Sequence, residues 1–155
     1  MKYKITVASN TSDFYSVALM EIASGPKRFK SINYLLQTLS PGSPLVTLAS
    51  IEKLFQSGGT IAIIICKKRV VGLATLVTVT KINSVTGRIE HVVIDPSHRG
   101  KHLSRKLMMA LIEVARSKRL RYIDLTTEPK RIEANNLYLS LDFVKRETNP
   151  YRLKL

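Results

Sequence analysis

The 155 residues are enough for one compact domain with a buried core, and 45% hydrophobic against 23% charged residues excludes a disordered chain. A net charge of +14, from 25 basic and 11 acidic residues, draws anionic ligands and, without specificity, nucleic acid. The single cysteine, Cys66, excludes an intrachain disulfide, and its neighbours Ile63, Ile64 and Ile65 point to a packed thiol rather than a nucleophile. The opening M-K-Y-K-I-T-V-A-S-N has no apolar run of signal-peptide length, and the run 61–66 is too short to span a bilayer. A soluble, cytoplasmic protein without membrane association is expected.

In chain order, Tyr3, Ile5 and Val7 alternate and predict a strand over 3–8. Ser9 to Asp13 offers N-caps for a helical run containing Val17, Leu19, Met20 and Ile22, which Gly25-Pro26 ends. Phe29, Ile32, Leu35, Leu36 and Leu39 predict a second helix, closed by Ser40-Pro41-Gly42-Ser43-Pro44; Leu48, Ile51, Leu54 and Phe55 predict a third, stopped by Gly58-Gly59. The period then changes. Residues 60–66 and 70–80 read as strands around the charged turn Lys67-Lys68-Arg69, and a polar connection over 81–87 leads to a strand over 88–94. These three form an antiparallel meander. A helix over 103–118, a strand over 122–126, a helix over about 131–141 and short strands over 143–145 and 151–155 complete the chain. The expectation is one α/β (α+β) domain spanning 1–155.

Everything is arranged around residues 88–105, R-I-E-H-V-V-I-D-P-S-H-R-G-K-H-L-S-R. Val92-Val93-Ile94 has the β-branched composition of a buried strand, and Asp95-Pro96 breaks it. A basic loop with Arg99, Gly100 and Lys101 follows, and then a helix with Leu103, Leu107, Leu111, Val114 and Ala115 on one face. The first-turn N–H groups of such a helix have no intrahelical partner and face its positive dipole end, which makes an anion site. Between Arg99 and Arg121 stand eight basic residues and one acid, Glu113, half of the net charge. Arg116 to Arg121 reads mainly as a solvated helix face.

The motif V-V-I-D-P-S-H-R-G-K-H-L-S resembles the cofactor signature of the GCN5-related N-acetyltransferase (GNAT) superfamily, in which Arg or Gln is followed three and five residues later by glycines. Arg99 fits the first position; His102 and Ser104 stand in the glycine slots, each adding a Cβ. Arg-Gly-Lys-x-Leu looks like the loop of glucosamine-phosphate acetyltransferases, and Leu35 to Pro41 and Arg146 to Arg152 resemble a bacterial-type subgroup. The resemblance implies a mixed, mostly antiparallel sheet with helices on both faces, splayed between its fourth and fifth strands, here 89–94 and 122–126. Acetyl-CoA as cosubstrate would lodge there, contacting Val92, Val93, Ile94, Arg99, Gly100, Lys101, His102, Leu103, Ser104 and Asn135.

Acetyl transfer needs a neutral amine, a polarised thioester carbonyl and a proton for the departing thiolate. A backbone N–H near Val92 or Val93 could polarise the carbonyl. Tyr138, in E-A-N-N-L-Y-L-S-L-D-F, resembles the tyrosine that protonates the thiolate in the family; the alternative is a packed ring with its hydroxyl in water. Asp142 takes the place of the usual helix-ending glycine, and Arg131 that of an Asn on the cofactor arm. Glu90, two residues before Val92, is the candidate base, and its alternative is an ion pair with Arg88. His91 is expected on the opposite face. His91, His98, His102 and Cys66 lack metal-site spacing, so no metal is expected.

The reading is an acetyl-CoA-dependent N-acetyltransferase acting on a small-molecule or peptide amine by direct attack in a ternary complex. Its rival is a non-catalytic basic module of the same fold that binds CoA or nucleic acid. A homodimer is implied by the family's habit of pairing C-terminal strands.

Overall fold

The computed structural model describes residues 15–19, 27–67 and 69–155. The strand expected over 3–8 lies outside them, as do the N-cap candidates Ser9 to Asp13. Two compact units are formed, the described residues up to Leu125 and those of Thr126–Leu155.

The first unit is built on a five-stranded sheet of order β1-β2-β3-β4-β5. The strands are β1 Tyr15–Leu19, β2 Thr60–Cys66, β3 Arg69–Thr80, β4 Val85–Ile94 and β5 Ile123–Asp124. β1 to β4 pair antiparallel in succession, and β5 pairs parallel to β4. Its helices are α1 Lys27–Leu39, α2 Leu48–Gln56 and α3 Leu103–Ser117.

β1 corrects the sequence reading, which places a helix over Val17 to Ile22. Tyr15, Val17 and Leu19 also alternate with period two, and five residues cannot separate the two periods. The edge of β2 decides the matter by supplying a full ladder, from Tyr15 opposite Cys66 to Leu19 opposite Ala62.

Both faces of β2 and β3 are covered, hence the unbroken apolar run of β2. One face joins Ile61, Ile63, Leu73 and Val93 to Ile32 and Leu35 of α1 and Ile51 of α2. α3 packs on β2, β3 and β4 and buries Leu103, Leu107, Met108, Leu111, Val114 and Ala115. Alternation assigns Ala62, Ile64, Gly72 and Ala74 to this second face. Cys66 is buried, as its apolar neighbours imply.

β4 and β5 separate early. Their register holds only Gly87 opposite Ile123 and Arg88 opposite Asp124, extended by the Gly87 N–H donating to Tyr122 O and the Arg121 N–H to Val85 O, each at 2.9 Å. The strand expected over 122–126 is therefore two residues long, because β4 offers it no ladder beyond Arg88. This is the splay anticipated between the fourth and fifth strands. β4 also begins three residues earlier than expected, since the Lys81 N–H donates to Ser84 O and closes the hairpin there.

The second unit contains α4, Ile132–Leu139. The short strands expected over 143–145 and 151–155 are not formed. Residues 144–155 are exposed, and stretches this short with little buried apolar surface do not hold a strand by themselves.

Candidate active site

β4 carries an extra residue. Leu73 lies opposite Val93, yet Thr75 lies opposite Glu90, so two steps on β3 match three on β4. The surplus falls at His91, whose φ of 58° is left-handed. The bulge changes the face reading. Residues directly opposite share a face, so Glu90 lies with Val93 on the side covered by α1 and α2. The two-residue spacing that aligned Glu90 with Val92 does not hold across His91. No glycine marks the bulge, which is why the sequence did not disclose it. The Glu90 carboxylate accepts from the Arg88 guanidinium, also on that face, and both side chains are partly exposed.

At its far end β4 is tied down before the loop begins. The Asp95 N–H donates to Val71 O at 2.8 Å, and Asp95 Oδ1 accepts from the Ser97 N–H (2.9 Å) and hydroxyl (2.6 Å), capping a single 3-10 turn, Pro96–His98. The Ser97 hydroxyl bond holds the Asp95 carboxyl below its ordinary 3.8. The lowered value means that this contribution to stability is present above pH 3.8 and is lost as pH falls through the folded value. Asp95→Asn is therefore expected to flatten the acid end of a stability-against-pH curve measured by urea denaturation.

The loop leading into α3 contains two left-handed residues, Gly100 at φ 75° and His102 at φ 54°. Gly100 has open space around it. His102 is the N-cap of α3 and makes no side-chain cap bond, so its imidazole does not cover the first turn of the helix. Leu103 is buried and anchors that turn, leaving only its backbone to a ligand. Arg99, Lys101 and His102 are exposed, and Arg99 Nε donates to Ile94 O at 3.4 Å, tethering the guanidinium to the strand end. The left-handed backbone explains why the motif favours glycine at the position of His102. His102→Gly is expected to raise stability by about 1 kcal/mol, the cost of left-handed backbone in a residue with a Cβ, read from the urea midpoint.

In the second unit, Tyr138 is held by the end of α4. The Phe143 N–H donates to Tyr138 O at 3.1 Å and the Asp142 N–H to Leu139 O at 3.1 Å, with Asp142 left-handed at φ 64°. This is a Schellman motif, with Asp142 doing what glycine usually does. Its apolar contact is aromatic: the Tyr138 and Phe143 rings stand 6.0 Å apart, tilted by 60°. Burial pushes the Tyr138 phenol above its ordinary 10.0, opposed by the Arg131 charge. Phe143 was missed as a partner of Tyr138; an apolar residue directly after a left-handed C-terminal position is the signal. Asn135 Nδ2 donates to Glu128 O (3.1 Å) and Arg131 O (2.9 Å), so its amide secures the entry to α4.

Residues 31–143 match the sequence profile of the Acetyltransferase (GNAT) family, and the chain belongs to that family. A curated glucosamine 6-phosphate N-acetyltransferase of Trypanosoma brucei brucei is 38% identical over 92 residues, a match spanning 54% of this chain and 63% of that protein. The crystal structure of a Trypanosoma brucei acetyltransferase has a TM-score of 0.76 and 30% identity, covering 91% of this chain and 99% of that one. An aminoglycoside N-acetyltransferase solved with CoA shares the fold, with a TM-score of 0.74 and 19% identity over 90% of this chain and 94% of its own.

Proposed function

We propose that residues 1–155 act as one acetyl-CoA-dependent N-acetyltransferase domain whose acceptor is a primary amine on an anionic molecule, an amino-sugar phosphate in the first instance. The observation that carries this reading is β4. It loses its β5 partner after Arg88 and then launches a loop whose left-handed Gly100 and His102 lead into the first turn of α3, which the His102 side chain does not cap. The first feature offers backbone groups to an extended amide chain, as an added strand would use them. The second suits a pyrophosphate. The CoA bound by the aminoglycoside enzyme and the glucosamine 6-phosphate in the name of the Trypanosoma relative support the two halves of the reading.

In this reading the loop from Arg99 to Ser104 holds the pyrophosphate, and Val92, Val93 and Ile94 hold the pantetheine arm. Asn135 is assigned to the same cosubstrate through its side-chain oxygen. A backbone N–H near Val92 or Val93 donates to the thioester oxygen as it gains charge. The amine nitrogen attacks the thioester carbon, the C–S bond breaks, and the thiolate takes a proton from the Tyr138 phenol. Glu90 takes the proton lost by the amine, directly or through water. Arg88, bonded to Glu90, adds positive charge on the same face for an anionic acceptor.

The test is calorimetric titration with acetyl-CoA, followed by thiol release with glucosamine 6-phosphate and a panel of amines. Saturable binding and turnover are expected. Absence of both would overturn the reading. If the protein instead bound nucleic acid with affinity falling steeply with salt, the non-catalytic rival would replace it.

A further inference from the structure

The connection between α1 and α2, residues 40–47, is held to α1 by two side-chain amides. Asn33 treats Val46 as a neighbouring strand would: its Oδ1 accepts from the Val46 N–H at 2.7 Å and its Nδ2 donates to Val46 O at 3.3 Å. Gln37, one helical turn further on the same side of α1, repeats the arrangement. Its Oε1 accepts from the Gly42 N–H at 3.1 Å, and its Nε2 donates to Ser43 O. Four backbone groups that a loop would otherwise give to water are thus fixed by two carboxamides. Pro41 and Pro44 restrict the chain further, and the Thr47–Ser50 capping box fixes the exit into α2.

This connection belongs to the face on which Glu90 stands. Val46 packs against the cluster containing Leu73 and Val93, and the β3–β4 register puts Glu90 on that side of the sheet. Either side of the inward Val46, Leu45 and Leu48 are exposed, at 68% and 47%. The connection therefore has an anchored backbone and outward side chains, the properties of a preformed wall rather than a loop that orders on binding.

We infer that Asn33 and Gln37 are positioning residues for the acceptor: they hold the 40–47 wall against which the amine substrate is oriented toward Glu90. The inference rests on the acetyl-transfer reading and deepens it. A loop ordered in advance does not spend acceptor binding energy on its own immobilisation. Releasing it weakens acceptor binding and leaves the cosubstrate loop, on the β4–α3 connection, untouched.

The experiment combines amide exchange with steady-state kinetics on glucosamine 6-phosphate, comparing the unaltered protein with Asn33→Ala, Asn33→Asp and Gln37→Ala. Exchange at the Val46 N–H is expected to quicken in Asn33→Ala, and that at Gly42 in Gln37→Ala. The acceptor KM should rise about fivefold or more in both, as expected when a preorganised site is loosened, with kcat and the acetyl-CoA KM unchanged within about twofold. Asn33→Asp keeps the acceptor for Val46 N–H and loses the donor, so its KM should fall between those of the unaltered protein and Asn33→Ala. Gln37→Ala removes the more exposed pair and serves if Asn33→Ala fails to fold. Quickened exchange with an unmoved acceptor KM sinks the inference alone, and unchanged exchange shows that the amides do not hold the loop. No thiol release by the unaltered protein sinks the amino-sugar-phosphate reading, and the inference falls with it.

Discussion

Tyr138→Phe is expected to lower kcat about 100-fold, the lower end of what a positioned general acid contributes, with acetyl-CoA affinity unchanged within about twofold. The change removes one oxygen and leaves the ring, so the contact with Phe143 and the Schellman end of α4 stay in place. A thiolate leaving group needs a proton donor that is still protonated at working pH. Burial raises the phenol above its ordinary 10.0, so the donor is fully loaded through neutral and mildly alkaline conditions. The kcat of the unaltered protein should therefore decline on the alkaline side only above pH 10, and that limb should vanish in Tyr138→Phe. Folding favours the neutral phenol, so its stability term is present below pH 10.0 and lost as pH rises through the folded value. Calorimetric titration beside thiol-release kinetics checks both halves. A kcat that survives the substitution would remove Tyr138 from the mechanism, whereas a large loss of acetyl-CoA binding would recast it as a binding residue.

What the sequence disclosed followed from strong periodicity and from glycine or proline. β2 was legible to the residue, because a run rich in isoleucine between Gly59 and Lys67 reads as a buried strand. α3 and the loop before it were legible because Leu103, Leu107 and Leu111 repeat every four residues behind Gly100. Asp142 was anticipated as a left-handed helix end, and it is one. The failures share a different cause. β1 was read as a helix because its fate depends on an edge of β2 distant in sequence. The bulge at His91 depends on the pairing of β3 with β4, and histidine carries no local mark of it. The strands expected over 143–145 and 151–155 rested on short apolar stretches at the exposed end of the chain, and such stretches do not set a strand by themselves. The ion pair of Glu90 with Arg88 was foreseen only as the alternative to a free base, since spacing alone cannot choose between them.

Gly72→Val is expected to destabilise the protein by about 2 kcal/mol, within the range for overpacked cores, and to weaken acetyl-CoA binding several-fold. Gly72 sits in β3 between Ile64 of β2 and Ile94 of β4. A Cβ there would come within 2.5 Å of Ile94 Cδ1 and 3.3 Å of both Ile64 Cγ1 and the Val93 carbonyl oxygen. Ile94 Cδ1 is the end of a flexible side chain and can turn away, but the Val93 carbonyl is backbone in the ladder and cannot. Valine also brings two γ-methyls to a layer already closed by α3. Against this, replacing glycine in a strand gains at most about 1 kcal/mol of β-propensity, so the steric loss wins. For a domain of this size about 2 kcal/mol lowers Tm by roughly 4–8 °C. The consequence for binding follows from what Ile94 carries. Its carbonyl accepts from Arg99 Nε, and the next residue, Asp95, ties the loop to Val71. Moving Ile94 therefore moves the start of the loop on which Gly100 and His102 set the amides of α3. Gly72→Ala, with the Cβ alone, should cost about 1 kcal/mol and leave acetyl-CoA affinity nearly intact. Thermal denaturation of both variants with acetyl-CoA calorimetry separates the effects. An unaltered Tm in Gly72→Val would mean that the Ile64–Gly72–Ile94 row is looser than its distances imply, and a lowered Tm with unaltered binding would uncouple the sheet from the cosubstrate loop.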